Sequence, residues 1–135
     1  VVINHKDYSS REEFDKAVVD EINKYSIDLT ILAGFMRILT PVFTDNIKAI
    51  NLHPSILPLF KGAHAITDSY NSDMQIGGVS VHWVSSELDA GEIIAQKSFA
   101  RKDKTLQEWE EKIHKIEHKL LPKTIIKILT KDKNA

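Results

Sequence analysis

The sequence predicts an α/β domain whose central sheet is mostly parallel. Short apolar segments rich in β-branched residues alternate along the chain with longer segments whose apolar residues recur every three or four positions. Such alternation of strands and helices is typical of α/β architecture. The 135 residues match the size of one domain, and they contain no internal repeat, low-complexity block or linker. We therefore expect a single domain over residues 1–135.

The first part of the chain is predicted to contain three strands and one amphipathic helix. Residues 1–3 (Val-Val-Ile) are predicted to form a short buried strand. Ser10, with Glu13 three residues later, is predicted to cap a helix that continues to about residue 25. Residues 29–33 and 49–52 are short, apolar and bounded by polar or turn residues, as expected of interior strands in a parallel sheet.

The second part of the chain is predicted to contain two paired strands and a long C-terminal helix. Residues 68–72 are assigned to a short helix. Residues 78–84 alternate between apolar and polar side chains, and residues 92–96 are expected to pair with them in antiparallel fashion. Residues 105–121 keep helical spacing until Pro122, which is predicted to end the helix before helical spacing resumes.

Charge and composition favour a small ligand over a nucleic acid or a membrane. Eighteen basic and nineteen acidic residues give a formal charge of -1, so no broad basic surface is expected. The chain has no cysteine, which excludes disulfide bonds and thiolate chemistry and fits a reducing compartment. No apolar run reaches the length of about 18 residues that a membrane span needs. These features predict a cytoplasmic protein with no nucleic-acid or membrane partner.

Two polar residues at the end of a predicted strand are the first candidates for chemistry. Asn51 and His53 are two positions apart, so in a strand their side chains point to the same side. Pro54 biases His53 away from helical conformation. An amide donor and an imidazole aimed at one point can stabilise an oxyanion, and an imidazole can also exchange a proton near neutral pH. The structural alternative is that Asn51 binds neighbouring backbone and His53 is a buried, hydrogen-bonded histidine.

A third candidate, Asp89, lies in a turn-rich loop between apolar segments. An aspartate in such a loop usually forms the turn by accepting hydrogen bonds from nearby backbone. A carboxylate beside His53 would favour the protonated imidazole and could relay protons through water. The sequence alone does not show whether Asp89 and His53 meet.

Several motifs, taken in order, resemble the signature of the 10-formyltetrahydrofolate-dependent formyltransferases. Residues 51–58 (Asn-Leu-His-Pro-Ser-Ile-Leu-Pro) are followed by Gly62 and His64, then by residues 78–82 (Gly-Val-Ser-Val-His) and 87–91 (Glu-Leu-Asp-Ala-Gly). Both the order and the spacing are similar to those of the family. The fold that the resemblance implies is the family's Rossmann-like fold with a mostly parallel central sheet.

Two further segments resemble the branch of the family that acts on phosphoribosylglycinamide. They are residues 32–39 (Leu-Ala-Gly-Phe-Met-Arg-Ile-Leu) and the pair Glu117-His118 followed by Pro122. The resemblance implies a transferase of purine biosynthesis that moves a formyl group from 10-formyltetrahydrofolate to the amine of phosphoribosylglycinamide, without a metal. It also implies that Asn51 and His53 stabilise the tetrahedral oxyanion, while Asp89 organises His53 and assists proton movement through water.

The resemblance also implies binding roles, mostly for residues other than Asn51, His53 and Asp89, which form the catalytic trio. Residues matching the folate pocket are Phe35, Arg37, Ile38, Leu39, Val84 and Asp89, and residues matching the glycinamide site are Met36, Leu52, Pro54 and Glu117. Without the family, Met36 and Leu52 would be read as core residues and Glu117 as a solvated charge. His64 and His82 also match family positions, and a structural role for them stays open beside a site role.

The family's glycine- and serine-rich phosphate-binding turn has no match in this sequence. The five glycines are Gly34, Gly62, Gly77, Gly78 and Gly91, and none opens a helix in a phosphate-cradling arrangement. By the resemblance, the chain corresponds to the C-terminal two-thirds of the family domain, without its first strands. We expect little activity from these residues alone, with possible association to an N-terminal segment or a second copy.

Three other functions stay open at this stage. A formyltetrahydrofolate hydrolase would use water in place of the acceptor amine, and a folate-binding fragment would bind without catalysis. His114 and His118 with Glu117 fit a His-x-x-Glu-His zinc pattern, although Lys115 and Lys119 place positive charge beside the metal position. Methionyl-tRNA formyltransferase is disfavoured because no basic RNA-binding segment follows.

Overall fold

One mixed four-stranded sheet forms the centre of the protein. The computed structural model describes residues 1–35 and 37–133. The strands follow the order β1-β2-β3-β4, with bounds Thr30–Leu32, Ala49–His53, Ile76–Trp83 and Ile93–Ala100. The α/β class is confirmed, and so is the antiparallel pairing of β3 with β4. The described sheet has one parallel pair, β1 with β2, and two antiparallel pairs, so its mostly parallel character is corrected to mixed. The sequence predicted the antiparallel pairing of β3 with β4 but not that of β3 with β2, because strand direction depends on the path of the connection between the strands.

Four α-helices accompany the sheet in the described residues. They are α1 (Arg11–Ile22), α2 (Pro41–Thr44), α3 (Ala65–Asn71) and α4 (Leu106–Lys133), and a 3-10 turn covers His5–Asp7. The predicted cap of α1 is confirmed, because the Ser10 hydroxyl accepts a hydrogen bond from the Glu13 amide at 3.1 Å. The sequence analysis missed α2, although Thr40-Pro41 carries the usual signal of a proline at the first helical position.

The predicted strand over residues 1–3 does not form. Val1 and Val2 are 95% and 94% exposed, and no strand lies beside them in the described part of the chain. A strand needs a hydrogen-bonding neighbour, which local apolar composition cannot supply. For the same reason β1, predicted to be interior, lies at one edge of the described sheet, and Ile31 is 39% exposed.

Helix α4 continues through Pro122, so the break predicted there is wrong. Pro122 lies on the exposed side of the helix, where water can reach the carbonyl that loses its backbone donor. The Thr124 hydroxyl donates to the carbonyl of Leu120 at 2.7 Å, and Ile128 packs against Ile50 and Val81 of the sheet. Packing on both sides of the proline therefore holds the helix together.

The main core lies between α4 and the sheet. Trp109 and Ile113 are fully buried and pack with Val79 and Phe99. The rings of Trp109 and Phe99 lie edge to face, with 4.8 Å between their centroids. The indole nitrogen of Trp109 donates to the Ser69 hydroxyl at 3.2 Å, which ties α3 to the same core. This packing fixes α4 against the sheet and sets the position of its residues relative to the ends of the strands.

A buried carboxylate fastens the segment before α2 to α1. Asp15 is 1% exposed, and one of its oxygens accepts hydrogen bonds from both the amide and the hydroxyl of Thr40, each at 2.7 Å. These two bonds anchor Thr40, the residue directly before α2, to α1.

We expect Asp15→Ala to lower the free energy of unfolding by about 2 kcal/mol, because it leaves two buried donors on Thr40 without an acceptor. Asp20→Ala is the matched control, since Asp20 lies on the same helix in an exposed pair with Lys16 at 3.2 Å and should cost under about 1 kcal/mol. Urea unfolding curves measure both. Equal losses in the two variants would show that Asp15 has no special structural role.

Candidate active site

Two neighbouring strands bring three polar side chains together at one end of the sheet. His53 is the last residue of β2, and β3 runs antiparallel beside it. In this register Asn51 lies directly opposite His82. Residues directly opposite each other in an antiparallel pair place their side chains on the same face of the sheet. The loop from β3 to β4 then supplies Asp89.

The imidazole of His53 is buried between a carbonyl and a carboxylate. Its Nε2 lies 2.8 Å from the carbonyl oxygen of Phe60, and its Nδ1 lies 3.5 Å from Oδ2 of Asp89. Because a carbonyl can only accept, Nε2 carries the proton of this hydrogen bond. The separation at Nδ1 is longer than an ordinary hydrogen bond, which leaves the Nδ1 side of the ring available to a reacting group. A proton that reaches Nδ1 would face the carboxylate directly.

Asp89 is held by the loop that follows β2. Its Oδ2 accepts a hydrogen bond from the Gly62 amide at 2.9 Å, and its Oδ1 lies 3.8 Å from Nε2 of His82. The side chain is 8% exposed. Asp89 has a φ of 50°, a conformation that aspartate tolerates better than most residues. The aspartate is therefore a turn residue, and its side chain also faces both histidines.

Asn51 and His82 form a second polar pair beside His53. Nδ1 of His82 lies 3.0 Å from the carbonyl oxygen of Trp83 and must donate to it, so in the neutral ring Nε2 is an acceptor. Nδ2 of Asn51 lies 3.2 Å from that acceptor and donates one amide hydrogen. In residues 1–35 and 37–133 the second amide hydrogen of Asn51 has no acceptor, so it can be donated to a bound molecule.

These side chains border a cavity of about 490 Å³. Its lining includes Asn51, Leu52, His53, Pro54 and Asp89 from the strand end and the loops, and Phe35, Arg37, Ile38, Glu117 and His114 from the opposite side. An adjoining, mostly apolar cleft of only about 30 Å³ is lined by Leu32, Phe35, Arg37, Ile38, Leu39, Asn51, His82, Val84, Ser85, Glu87, Leu88 and Asp89. The cavity and the cleft share six lining residues, so they are connected, and the larger cavity has the volume to hold a ligand with an apolar part and a reactive polar part.

Comparison with known proteins identifies the family of this chain. A sequence model of the formyl transferase family matches residues 1–125. The chain belongs to the formyl transferase family.

Curated relatives and solved structures show which members of the formyl transferase family this chain is similar to. The trifunctional purine biosynthetic protein adenosine-3 of Homo sapiens is 41% identical over 124 residues, which cover 90% of this chain and 12% of the relative. The phosphoribosylglycinamide formyltransferase of Bacillus subtilis (strain 168) is 35% identical over 127 residues, covering 92% of this chain and 65% of the relative. The chain thus spans only part of the length of these curated relatives.

A crystal structure of phosphoribosylglycinamide formyltransferase from Campylobacter jejuni is 63% identical, with a TM-score of 0.93, and the match covers 96% of this chain and 68% of that one. The Rossmann-like formyltransferase fold expected from the sequence is thereby confirmed for this chain.

Most residues predicted to bind folate or substrate border the two connected cavities. Phe35, Arg37, Ile38, Leu39, Val84 and Asp89 line the apolar cleft, and Leu52, Pro54 and Glu117 line the larger cavity. Leu39 is only 4% exposed and also belongs to the core. The guanidinium carbon of Arg37 lies 5.1 Å from the ring centre of Phe14, so a cation–π contact holds Arg37 against α1. Met36, also predicted to bind substrate, lies outside the described residues. The ligand roles of all these residues stay predictions.

The two histidines left open in the sequence analysis differ in position. His82 borders the apolar cleft and contacts both Asn51 and Asp89. His64 is exposed at the start of α3 and does not line either cavity. The geometry therefore favours a site role for His82 and a surface position for His64.

Sequence reasoning missed several residues of the cavity lining and misread another. Arg11, Ala63, Ile66 and Leu88 are among those that line the cavity without having been predicted, and His114 was considered only as a zinc ligand. His114 lies three residues before Glu117 on α4, a spacing that places both on one face of a helix. Its Nδ1 is 3.1 Å from Glu117 and its Nε2 is 3.5 Å from Glu110. No cluster of three or more histidine, cysteine or carboxylate side chains arranged for a metal occurs in the part of the chain that the structure describes.

Among the described helices none combines the length and apolar character needed to cross a membrane.

Proposed function

We propose that this protein transfers the formyl group of 10-formyltetrahydrofolate to the amine of phosphoribosylglycinamide, a step of purine biosynthesis. The observation that carries the proposal is the meeting of Asn51, His53 and Asp89 at one cavity that opens into an apolar cleft. The names of the similar formyl transferases support the formyl group and the acceptor, and the choice of 10-formyltetrahydrofolate as donor rests on the resemblance of the sequence motifs. The cytoplasmic location expected from the sequence stays a prediction.

The chemistry asks three things of the protein. Attack of the acceptor amine on the formyl carbon forms a new carbon–nitrogen bond and places negative charge on the formyl oxygen. Collapse of this intermediate breaks the bond to the folate N10 nitrogen, which must receive a proton, while the former amine must lose one. The protein must therefore stabilise an oxyanion, move a proton between two nitrogen atoms and hold both reactants in line.

The trio meets the first two requirements. The unused amide hydrogen of Asn51 and a protonated Nδ1 of His53 are donors for the oxyanion in a largely buried site, where such hydrogen bonds are strong. Asp89 faces the same nitrogen of His53 and stabilises the ring while it carries the extra proton. A water molecule beside Asp89 would carry the proton from the attacking amine to the leaving nitrogen. No covalent intermediate is needed.

Positioning falls to the walls of the two connected cavities. Phe35 and Ile38 line both the larger cavity and the cleft, and with Val84 they would provide apolar contacts for the flat ring system of the folate. On the other side, the carboxylate of Glu117 would attract the ammonium form of the acceptor amine.

We expect Glu117→Gln to raise the KM for the amine acceptor about tenfold or more, because a charge-assisted hydrogen bond is worth about 1.5–3 kcal/mol. The affinity for the folate donor should change little. Glu110→Gln is a matched control, since Glu110 also contacts His114 but does not line the cavity. Steady-state kinetics with each substrate varied in turn measures the effect. Equal KM values in the two variants would remove Glu117 from the acceptor site.

Because little activity is expected from residues 1–135 alone, the function itself is tested with the full-length protein, which is incubated with 10-formyltetrahydrofolate, with and without phosphoribosylglycinamide, before formylated amine is separated from free formate. Formylated amine that depends on both substrates is the expected result. Formate released equally with and without the amine would indicate a hydrolase. Folate binding by calorimetry with neither product would leave a folate-binding protein and would contradict the proposed transfer.

A further inference from the structure

A groove between β4 and α4 is lined by five lysines that the proposed function does not use. This lysine groove has a volume of about 260 Å³. Its charged residues are Lys97, Lys112, Lys115, Lys119 and Lys123. None of them borders the candidate active site.

The groove follows from the spacing of residues on α4. Lys115, Lys119 and Lys123 are four residues apart, so they form one stripe along the helix. From Lys112 to Lys123 this stripe is about 16 Å long, at 1.5 Å per residue. Lys97 joins it from β4, the edge strand of the described sheet, where it pairs with Val79 of the α4-facing core. Ile116 and Leu120 form the apolar floor.

The charges in the groove are not neutralised by the protein. In the described ranges, none of the five lysines forms an ion pair. Two exposed lysines elsewhere do form ion pairs, Lys16 with Asp20 and Lys24 with Glu21, and several other described lysines do not, so the clustering of five unpaired charges in one groove is what sets these lysines apart. Lysines four apart on a helix repel each other, and a chain with a formal charge of -1 has enough carboxylates to avoid such a cluster. The uncompensated charge therefore indicates an anionic ligand.

The residues that line the groove indicate which class of anion it binds. Lysine binds phosphate as a point charge from any direction, whereas recognition of planar carboxylates favours the bidentate fork of arginine, and the groove contains no arginine. No aromatic side chain lines it, so a platform for stacked bases of single-stranded nucleic acid is missing from these residues. The volume suits a small molecule better than a folded partner. A row of ammonium groups matches a ligand with several charges in a line.

We propose that the lysine groove binds a linear polyphosphate, either inorganic or attached to a nucleoside. The row of lysines neutralises the phosphate chain, and the floor of Ile116 and Leu120 is open to an apolar end group. This site is separate from the candidate active site, because His114 and Glu117 leave α4 on its other flank.

The proposal is tested by calorimetry on the purified protein at low ionic strength, in the presence of a metal chelator. The probes are sodium tripolyphosphate, ATP, orthophosphate and a hexaglutamate peptide. We expect tripolyphosphate and ATP to bind, and orthophosphate to bind at least about tenfold more weakly, because it engages fewer of the charges. Equal binding of tripolyphosphate and ATP would assign the affinity to the phosphate chain. Tighter binding of ATP would add a contact between the nucleoside and the apolar floor.

Paired charge-removing variants locate the binding. The double variant Lys115→Gln with Lys119→Gln should weaken tripolyphosphate binding about tenfold or more. Lys6→Gln with Lys16→Gln removes the same charge from the 3-10 turn and α1, outside the groove and off α4, and should change tripolyphosphate binding less than about twofold. Melting temperatures without ligand verify that both variants fold. The proposal is overturned if neither polyphosphate binds, if orthophosphate or hexaglutamate binds as tightly, or if the two double variants behave alike.

Discussion

Replacement of His53 with alanine is expected to lower the rate of formyl transfer by about 10²–10⁴-fold, the usual range for removal of a positioned acid–base group. The side chain is only 6% exposed, and its imidazole faces both Asp89 and the cavity. Its loss removes a donor to the oxyanion and the partner of the carboxylate. Folate binding should change little, because the apolar cleft is formed by other residues.

The measurement compares single-turnover rates with the affinity for the folate donor, determined separately by calorimetry. His118→Ala serves as the control, since His118 is exposed on α4 and does not line either cavity. A variant that keeps its rate but loses folate affinity would make His53 a binding residue. A near-normal rate with normal affinity would require another catalytic group.

Asp89→Asn is expected to slow formyl transfer by about 10²-fold or more through loss of negative charge beside His53. The amide oxygen of asparagine can still accept the hydrogen bond that the Gly62 amide gives to Asp89. The loop conformation should therefore persist, and the effect should fall on kcat more than on KM. A loss of thermal stability with an unchanged rate in the remaining folded protein would indicate a structural role instead.

Glu92→Gln is the matched control for Asp89→Asn. Glu92 precedes β4 in the same connection, is exposed and does not line either cavity, yet its replacement removes the same charge. The rates of both variants are measured across a range of pH. Loss of a proton-relay partner at Asp89 changes the shape of the pH–rate profile, whereas loss of a charge elsewhere does not.

The strand end of the candidate site could be predicted from local pattern, but the meeting of its parts could not. Period-two geometry correctly placed Asn51 and His53 on one side of β2, because alternation is a property of every strand. The contact between His53 and Asp89 depends on the path of two loops, and no local rule determines that path. Only the family resemblance predicted the contact between His53 and Asp89.

The errors in the fold prediction have a common cause. Residues 1–3 have the composition of a strand, and Pro122 is a residue that usually stops a helix. In both cases tertiary structure decides the outcome: no strand lies beside residues 1–3 among the described residues, whereas packing of Ile128 on the sheet carries α4 past Pro122. Local preferences are weak compared with packing.

The hydrogen bonds around the loop after β2 have a consequence for how this loop can vary. Phe60 accepts from His53, and two residues later Gly62 donates to Asp89, with Phe60 at a φ of 57° and Gly62 at 95°. A Cβ atom added at Gly62 would have no other atom within 4 Å, so space does not require glycine at this position. Glycine is favoured here because of the positive φ of the backbone. A one-residue insertion between Phe60 and Gly62 would shift one anchor relative to the other and rotate the imidazole away from the carboxylate. Loop length here is therefore set by the reaction geometry, even though the loop lies at the protein surface.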